Sequence, residues 1–374
     1  MRKVLITNQY FSDYSGSEIV SLELTKWFLE NDYEVHLFAI RITDPLLSVL
    51  KELKVKITTD ESELDEDYDL VWLHHFLMPS FLLKANTAKV VFHHMSGTYP
   101  LELPLIPNLE KDLADLVLSN SEETRDQIKE VYDLESEVFG NPAPTEFLSS
   151  LKSTSTKVEK VTVISNHIPS ELRETIELLK KSNVEVAVLG IDENNFALVT
   201  PKIIQKSDLI ISIGKTIQYA ILSNTPVYCY DHFGGPGFLD AGNYEKAKYF
   251  NFSGRGFNKK TSEHILEEII GTPYIEVKND FTEIATKAKS DFNLDTKMRK
   301  LIKDLNSMQP KRKKIADTDV LTYTSVSKTV KECFLVLNHY KGLANHYKTL
   351  LDESKADKPK KKSLISTLKG YLKR

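Results

Sequence analysis

Long apolar runs are missing from this chain of 374 residues. No stretch approaches the roughly 20 residues that a bilayer-spanning helix needs. Cysteine is nearly missing too: Cys229 and Cys333 are the only two, far apart in sequence. That excludes a disulfide framework and a four-cysteine metal site. The opening Met1-Arg2-Lys3-Val4-Leu5-Ile6-Thr7 runs into polar Asn8 and Gln9. Its apolar core is too short for a signal peptide and reads as a first β-strand. The chain is expected to be cytoplasmic and reduced.

Several nucleotide and metal fingerprints are also incomplete. Tyr14-Ser15-Gly16-Ser17-Glu18 follows the first strand and opens a helix, but lacks the three glycines of a dinucleotide fingerprint, so NAD and FAD are not expected. Gly214-Lys215-Thr216 matches the tail of a P-loop, yet Leu209 stands where its first glycine belongs, which excludes an ATPase P-loop. Asp-x-Asp pairs occur at Asp65/Asp67, Asp67/Asp69 and Asp317/Asp319. None lies at the end of a strand, so no catalytic metal and no cofactor are predicted.

What is present is ordinary globular composition, 41% hydrophobic and 27% charged. The length suits two domains and an appendage. The net charge of −4 hides an asymmetry: residues 355–374 carry eight Lys or Arg and one Asp. A basic tail on an acidic body argues against nucleic acid as a partner of the body.

Short β-branched runs at 4–7, 35–40, 55–57, 70–73, 89–92, 116–119 and 138–139 alternate with helical patterns. The rhythm restarts at 161–164, 184–189, 209–213 and 227–230. This is the pattern of βαβ units on parallel sheets. It predicts an α/β chain with an N-terminal Rossmann-like domain over 1–145, a linker over 146–160 and a second Rossmann-like domain over 161–292. A helical extension over 293–354 and a basic amphipathic tail over 355–374 follow. Two doubly wound halves place a ligand cleft between the C-terminal ends of their strands.

The extension carries an apolar stripe: Val326, Val330, Phe334, Leu337, Tyr340, Ala344, Tyr347 and Leu351. Packing on the chain's own body is the favoured expectation, and a protein partner through the helix after Asp319 is the alternative. In the tail, Leu364, Ile365, Leu368, Tyr371 and Leu372 share one helical face beside Lys358, Lys360, Lys361 and Lys362. That composition suits an anionic membrane surface on the inner face of the cell membrane.

Four groups of residues carry candidate chemistry. Gly16 and Ser17 open a helix where backbone N–H groups meet a ligand. Gly214, Lys215 and Thr216 do the same after a strand, in a place suited to a diphosphate. Asp231-His232-Phe233-Gly234-Gly235-Pro236-Gly237-Phe238 is read as a shaped loop at a sheet end, with Arg255 shortly after it as a phosphate fork or a surface salt bridge. His74-His75 and His93-His94 each end an apolar strand. Adjacent residues point to opposite faces, which argues against a four-histidine metal site and leaves a single cleft-facing histidine acting on a substrate hydroxyl.

In series, these residues resemble the GT-B glycosyltransferases of family 4. The resemblance runs through Gly16-Ser17-Glu18 and its helix, Ala114-Asp115-Leu116-Val117-Leu118-Ser119-Asn120-Ser121 and Gly140-Asn141-Pro142. Ser165-Asn166-His167, Gly214-Lys215-Thr216, Phe233-Gly234-Gly235-Pro236-Gly237 and Asn251-Phe252-Ser253-Gly254-Arg255 resemble a bacterial subgroup associated with surface-polysaccharide synthesis. The resemblance implies GT-B architecture and metal-independent transfer of a sugar from a nucleoside diphosphate, UDP foremost, to a glycan or lipid-linked acceptor, often with retention. It places the donor on Ser165, Asn166, His167, Gly214, Lys215, Thr216, Tyr219, Gly234, Gly235 and Arg255. Gly16, Ser17 and His74 fall on the acceptor side. The family's loop histidine carries over to His93 or His94, with His94 nearer the loop Ser96-Gly97-Thr98.

The chain departs from the family at the ribose. Thr225-Pro226-Val227 sets the register, and the position of the ribose-holding glutamate is Tyr219, beside Gln218. Ile211 replaces the partner acidic residue, and no Arg/Lys pair for the phosphates is evident beyond Lys215. A non-catalytic subunit of the same shape, recruiting a partner transferase, is therefore the alternative. A sugar-nucleotide epimerase is a third, lacking an acid–base carboxylate set.

Overall fold

The computed structural model of the chain describes residues 2–75, 77–84, 87–148, 155–190, 195, 197–309 and 315–356. Strands are β1 Arg2–Phe11, β2 Tyr33–Ile42, β3 Lys56–Thr58, β4 Leu70–His74, β5 Lys89–His94, β6 Leu116–Ser119 and β7 Glu137–Val138, then β8 Lys160–Ile164, β9 Glu185–Leu189, β10 Leu209–Ser212, β11 Val227–Asp231 and β12 Gly234–Phe238. Helices are α1 Gly16–Glu30, α2 Leu46–Glu52, α3 Pro107–Leu113, α4 Glu122–Tyr132, α5 Ser170–Lys181 and α6 Pro201–Gln205, then α7 Lys215–Ser223, α8 Tyr244–Tyr249, α9 Ser262–Gly271, α10 Tyr274–Phe292, α11 Leu294–Ser307 and α12 Asp317–Ala356.

The first seven strands form one parallel sheet in the order β3-β2-β1-β4-β5-β6-β7. The second sheet runs β12-β11-β10-β8-β9, parallel except for β12. Each sheet reverses its order at its first strand, and such switch points open crevices at the carboxyl ends of strands. Strand β1 is buried from Val4 to Gln9, as a central parallel strand covered on both faces must be.

The turn from β1 into α1 is held by one carboxylate. Glu18 accepts from the Ser12 and Asp13 amides at 2.7 and 3.2 Å and from the Ser15 hydroxyl at 2.5 Å. This acts like a capping box and fixes the loop that carries Gly16.

Two segments differ from the sequence expectation. Gly234–Phe238, expected as a loop, is a strand antiparallel to β11. A Cβ on Gly235 would lie 2.0 Å from the Cys229 carbonyl oxygen, so only glycine lets the chain fold back this closely. The proposed extension over 293–354 is not one piece. Helix α11 buries Leu294, Met298, Leu301 and Leu305 in the first sheet's core, beside Val4, Leu24, Trp27 and Phe28. Trp27 Nε1 also donates to Asp295 at 3.0 Å.

The chain thus crosses between the halves twice, side by side. Ala143 donates to the Phe292 carbonyl at 2.7 Å and accepts from the Leu294 amide at 2.9 Å. Phe147, within the expected linker, is buried in the second core with Ile217 and Tyr219.

Residues from Leu321 onward form a separate unit. Along α12 the stripe is buried at Phe334 and half-buried at Val326 and Val330, while Leu337, Tyr340, Tyr347 and Leu351 are exposed. The tail over 357–374 lies outside the described residues. Among the described residues no helix is long and apolar enough to cross a membrane.

Met298 is fully buried on α11. Met298→Ala should cost about 2–5 kcal/mol, measured by urea denaturation. A helix that merely extends the fold would lose far less.

Candidate functional site

A cleft of about 360 Å³ opens where strands of the second sheet end. Its floor and one wall come from the segments after β8, β9, β10 and β11: Ser165, Asn166 and His167, then Gly190, then Lys215 and Thr216, then Asp231 and His232. Tyr14, Ser15, Gly16 and Ile19 face them from the first half.

Helix α7 begins at the cleft. Gly214 stands at its N-cap with φ +60°, a conformation that side chains rarely adopt. No side chain caps this end. Its first amides are left for a ligand, in the geometry that binds anions at helix N-termini.

Lys215 does not stand free in the cleft. Its Nζ lies 2.6 Å from Glu23 Oε2 on α1, donates to the Asn141 carbonyl at 3.0 Å and also bonds the Pro142 carbonyl. Tyr219, at the position of the family's ribose-holding glutamate, donates its hydroxyl to Glu23 and stacks on Phe147, centroids 4.0 Å apart. Burial pushes the Glu23 carboxyl up and the Lys215 ammonium down, and the attraction between them opposes both shifts. Such a pair loses several kcal/mol of hydration per ion and is held together by its geometry and its extra hydrogen bonds.

The opposite side of the cleft is built on Asp231. Its Oδ2 accepts from Ser165 Oγ at 3.1 Å and its Oδ1 from the His232 amide at 2.8 Å. The His167 amide in turn donates to Ser165 Oγ at 3.2 Å. Burial pushes the Asp231 carboxyl up, while the His232 and Ser165 contacts pull it part of the way back down.

Of the donor residues expected from sequence, Ser165, Asn166, His167, Lys215, Thr216 and Tyr219 line this cleft, with Gly214 at the N-cap beside them. Gly16 lines it from the acceptor side. Gly234 and Gly235 are instead packed in β12. Arg255 makes a two-pronged contact with Glu123 on α4, Nε donating at 3.0 Å, and lies over Phe233. It is a salt bridge between the halves and does not line the cleft.

The strand-end histidines are buried. His93 has no hydrogen-bond partner on either nitrogen and packs among Trp72, His74 and Phe139. Burial holds it well below an ordinary imidazole, hence neutral. His74 Nδ1 lies 3.2 Å from Ser21 Oγ and 3.3 Å from the Thr7 carbonyl, and burial pushes it down to about 3. For His94, burial works downward but the Glu110 carboxylate 3.0 Å from Nε2 outweighs it, and the Glu102 carbonyl sits 2.8 Å from Nδ1. None of these three lines the cleft, so the expected catalytic placement of His94 and His93 is not what the structure brings to it.

Glu23 was not singled out from sequence, and Asp231 only as the first residue of a loop motif. Glu23 had a signal: a carboxylate inside the apolar run of α1, which globular proteins bury only when paired. Asp231 ends a strand, where ligands bind in this architecture. Among the described residues one trio could present metal ligands to a common point, Glu34, His36 and Asp65. Asp65 already pairs with Lys3 and Lys56, and His36 with the Tyr68 hydroxyl.

No protein-family model and no curated protein matches the chain in sequence. Among solved structures it is similar to a glycosyltransferase from Rickettsia africae ESF-5, at 13% identity and TM-score 0.51, covering 82% of this chain and 98% of that one. It is also similar to a mutant of S. aureus TarM in complex with Fondaparinux, alpha-GlcNAc-glycerol and UDP. There the identity is 11% and the TM-score 0.52, covering 82% of this chain and 100% of that one. At such identities the likeness establishes the fold, which is GT-B: two Rossmann-like halves facing across a cleft, with a helical C-terminal segment.

Glu23→Gln and Lys215→Met should each cost about 3–5 kcal/mol, because each leaves one buried ion unpaired. The double variant should cost less than the sum, by urea denaturation of all four proteins. Strict additivity would mean that the pair is not coupled.

Proposed function

We propose that the chain is a glycosyltransferase that moves a sugar from a nucleoside diphosphate to a glycan or lipid-linked acceptor without a metal. The observation that carries this is the uncapped N-terminus of α7 at the floor of the cleft, with Lys215 on its first turn and Gly16 opposite. The donor diphosphate lies against the Lys215 and Thr216 amides, where the helix dipole and the free N–H groups meet its charge. Charge developing on the leaving diphosphate is stabilised there during transfer. Asp231, with Ser165 and His167 beside it, receives the sugar-nucleotide hydroxyls that Tyr219 no longer takes.

UDP is the favoured nucleotide, in keeping with the UDP bound in the TarM complex. The assignment to family 4 and to surface-polysaccharide synthesis rests on the motif series. On this proposal the basic segment 355–374 holds the protein at an anionic membrane surface where lipid-linked acceptors lie.

A second reading has a specific observation behind it. Lys215 and Tyr219, which both line the cleft, are both tied to Glu23. A chain in which that arrangement is permanent is a non-catalytic subunit that recruits a partner transferase, with the exposed stripe of α12 as its contact.

Calorimetric titration with UDP, GDP, ADP and CMP separates the two. One nucleotide should bind saturably, and Lys215→Ala should weaken it about tenfold or more, the equivalent of roughly 1.4 kcal/mol. Arg255→Ala should leave that affinity unchanged, since Arg255 is paired with Glu123 outside the cleft. Binding of none of the four favours the non-catalytic subunit.

A further inference from the structure

Three residues from separate segments converge behind the first half's wall of the cleft. Ser17 lies on the first turn of α1, His75 directly follows β4, and Glu102 ends the short 3-10 turn after β5. Ser17 Oγ is 3.0 Å from His75 Nε2. His75 Nδ1 is 3.4 Å from Glu102 Oε1, an approach longer than a full hydrogen bond, of the kind that tightens once substrate is bound.

His75 has φ +57°. A side-chain-bearing residue in the left-handed region is strained, and such strain is kept where the surroundings demand a particular side-chain aim. Here it turns the ring toward Ser17, while its neighbour His74 turns to Ser21 and the Thr7 carbonyl. Of the four strand-end histidines, His75 is the one joined to a residue adjoining the cleft, since Ser17 follows the cleft-lining Gly16 and is itself partly exposed.

We infer that Ser17, His75 and Glu102 form a proton relay on the acceptor side of the cleft. The inference rests on the transferase reading above. The acceptor hydroxyl passes its proton to Ser17 Oγ as Ser17 passes its own to His75 Nε2. The acceptor oxygen bonds to the anomeric carbon while the bond from that carbon to the diphosphate oxygen breaks. The electron pair of that bond leaves with the diphosphate at the N-terminus of α7, and the imidazolium later returns its proton to water. Ser17 touches the acceptor, His75 acts through it, and Glu102 positions the ring and offsets its charge. A base on the acceptor side gives inversion at the anomeric carbon, in contrast to the retention that the family resemblance implies.

Burial pushes His75 down to about 3, with His74 and His94 adding to the shift, so the free ring is neutral and the proton it takes is stabilised by the Glu102 carboxylate beside Nδ1. Burial pushes Glu102 up to about 7, while the nearby His94 pulls it down. Glu102 is therefore a carboxylate only above about neutral pH, and relay turnover rises with pH through that range.

The test follows hydrolysis of UDP-glucose, UDP-galactose and UDP-N-acetylglucosamine by proton NMR, with water as the acceptor. UDP calorimetry and a ring-nitrogen NMR spectrum of His75 accompany it. Ser17→Ala and His75→Asn should each lower turnover by about 100-fold or more with UDP affinity unchanged. Glu102→Gln should remove the rise with pH, His93→Phe should retain turnover, and the sugar should appear first as the β anomer. The spectrum should show the proton on Nδ1, because Nε2 must be free to accept from Ser17. Full turnover in His75→Asn, or a proton on Nε2, overturns the relay alone. An unaltered chain that binds no nucleotide overturns the transferase reading and the relay with it.

Discussion

The rest of the structure turns on the buried contact between Glu23 and Lys215. Helix α1 belongs to the first sheet and α7 to the second, so one ion pair of 2.6 Å joins the halves at the floor of the cleft between them. Desolvation makes the pair costly to form and more costly to break on one side only. It therefore holds the cleft in one register as long as nothing else offers Lys215 a negative charge. On the proposed function a donor diphosphate is such a group, arriving where the helix dipole of α7 already favours an anion. On that proposal ligand binding and the arrangement of the halves are coupled through the Lys215 ammonium group.

The remaining contacts make this coupling economical. The two chain crossings lie side by side at Ala143 and Asn293, so a change of angle between the halves needs backbone adjustment in one narrow place. Helix α11 then anchors the returning chain in the first core, through residues that pack with β1 and α1. Arg255 and Glu123 add a second charged link. Its side chains are more exposed than those of the Glu23 pair, so solvent screens it more and it constrains less.

Much of the architecture was legible because parallel sheets write themselves into sequence. Buried strands such as Val161–Ile164 read as short β-branched runs, and motifs at their carboxyl ends point to the cleft. Ser165, His167, Lys215 and Thr216 were found by that rule. Strand β12 was hidden because its residues, two glycines, a proline and a third glycine, carry turn chemistry, and only the backing of Cys229 makes a strand of them. The spacing of Leu294, Met298, Leu301 and Leu305 announces a buried helix face, but not which half buries it. The partners of Arg255, His93 and His94 were not legible for the same reason: a side chain's partner is a tertiary fact, and Glu123, Trp72 and Glu110 lie far away or on other elements. His75 was named beside His74, but strand alternation does not foresee a left-handed residue at the strand's end, and the acceptor side was assigned to His74 instead.

The most direct measurement is a crystal structure of the chain with UDP bound. The account predicts the diphosphate oxygens within hydrogen-bonding distance of the Lys215 and Thr216 amides, with Lys215 Nζ turned from Glu23 toward the phosphates and a ribose hydroxyl on Asp231. UDP bound elsewhere, with the Glu23–Lys215 pair intact and the N-terminus of α7 facing only solvent, would contradict it.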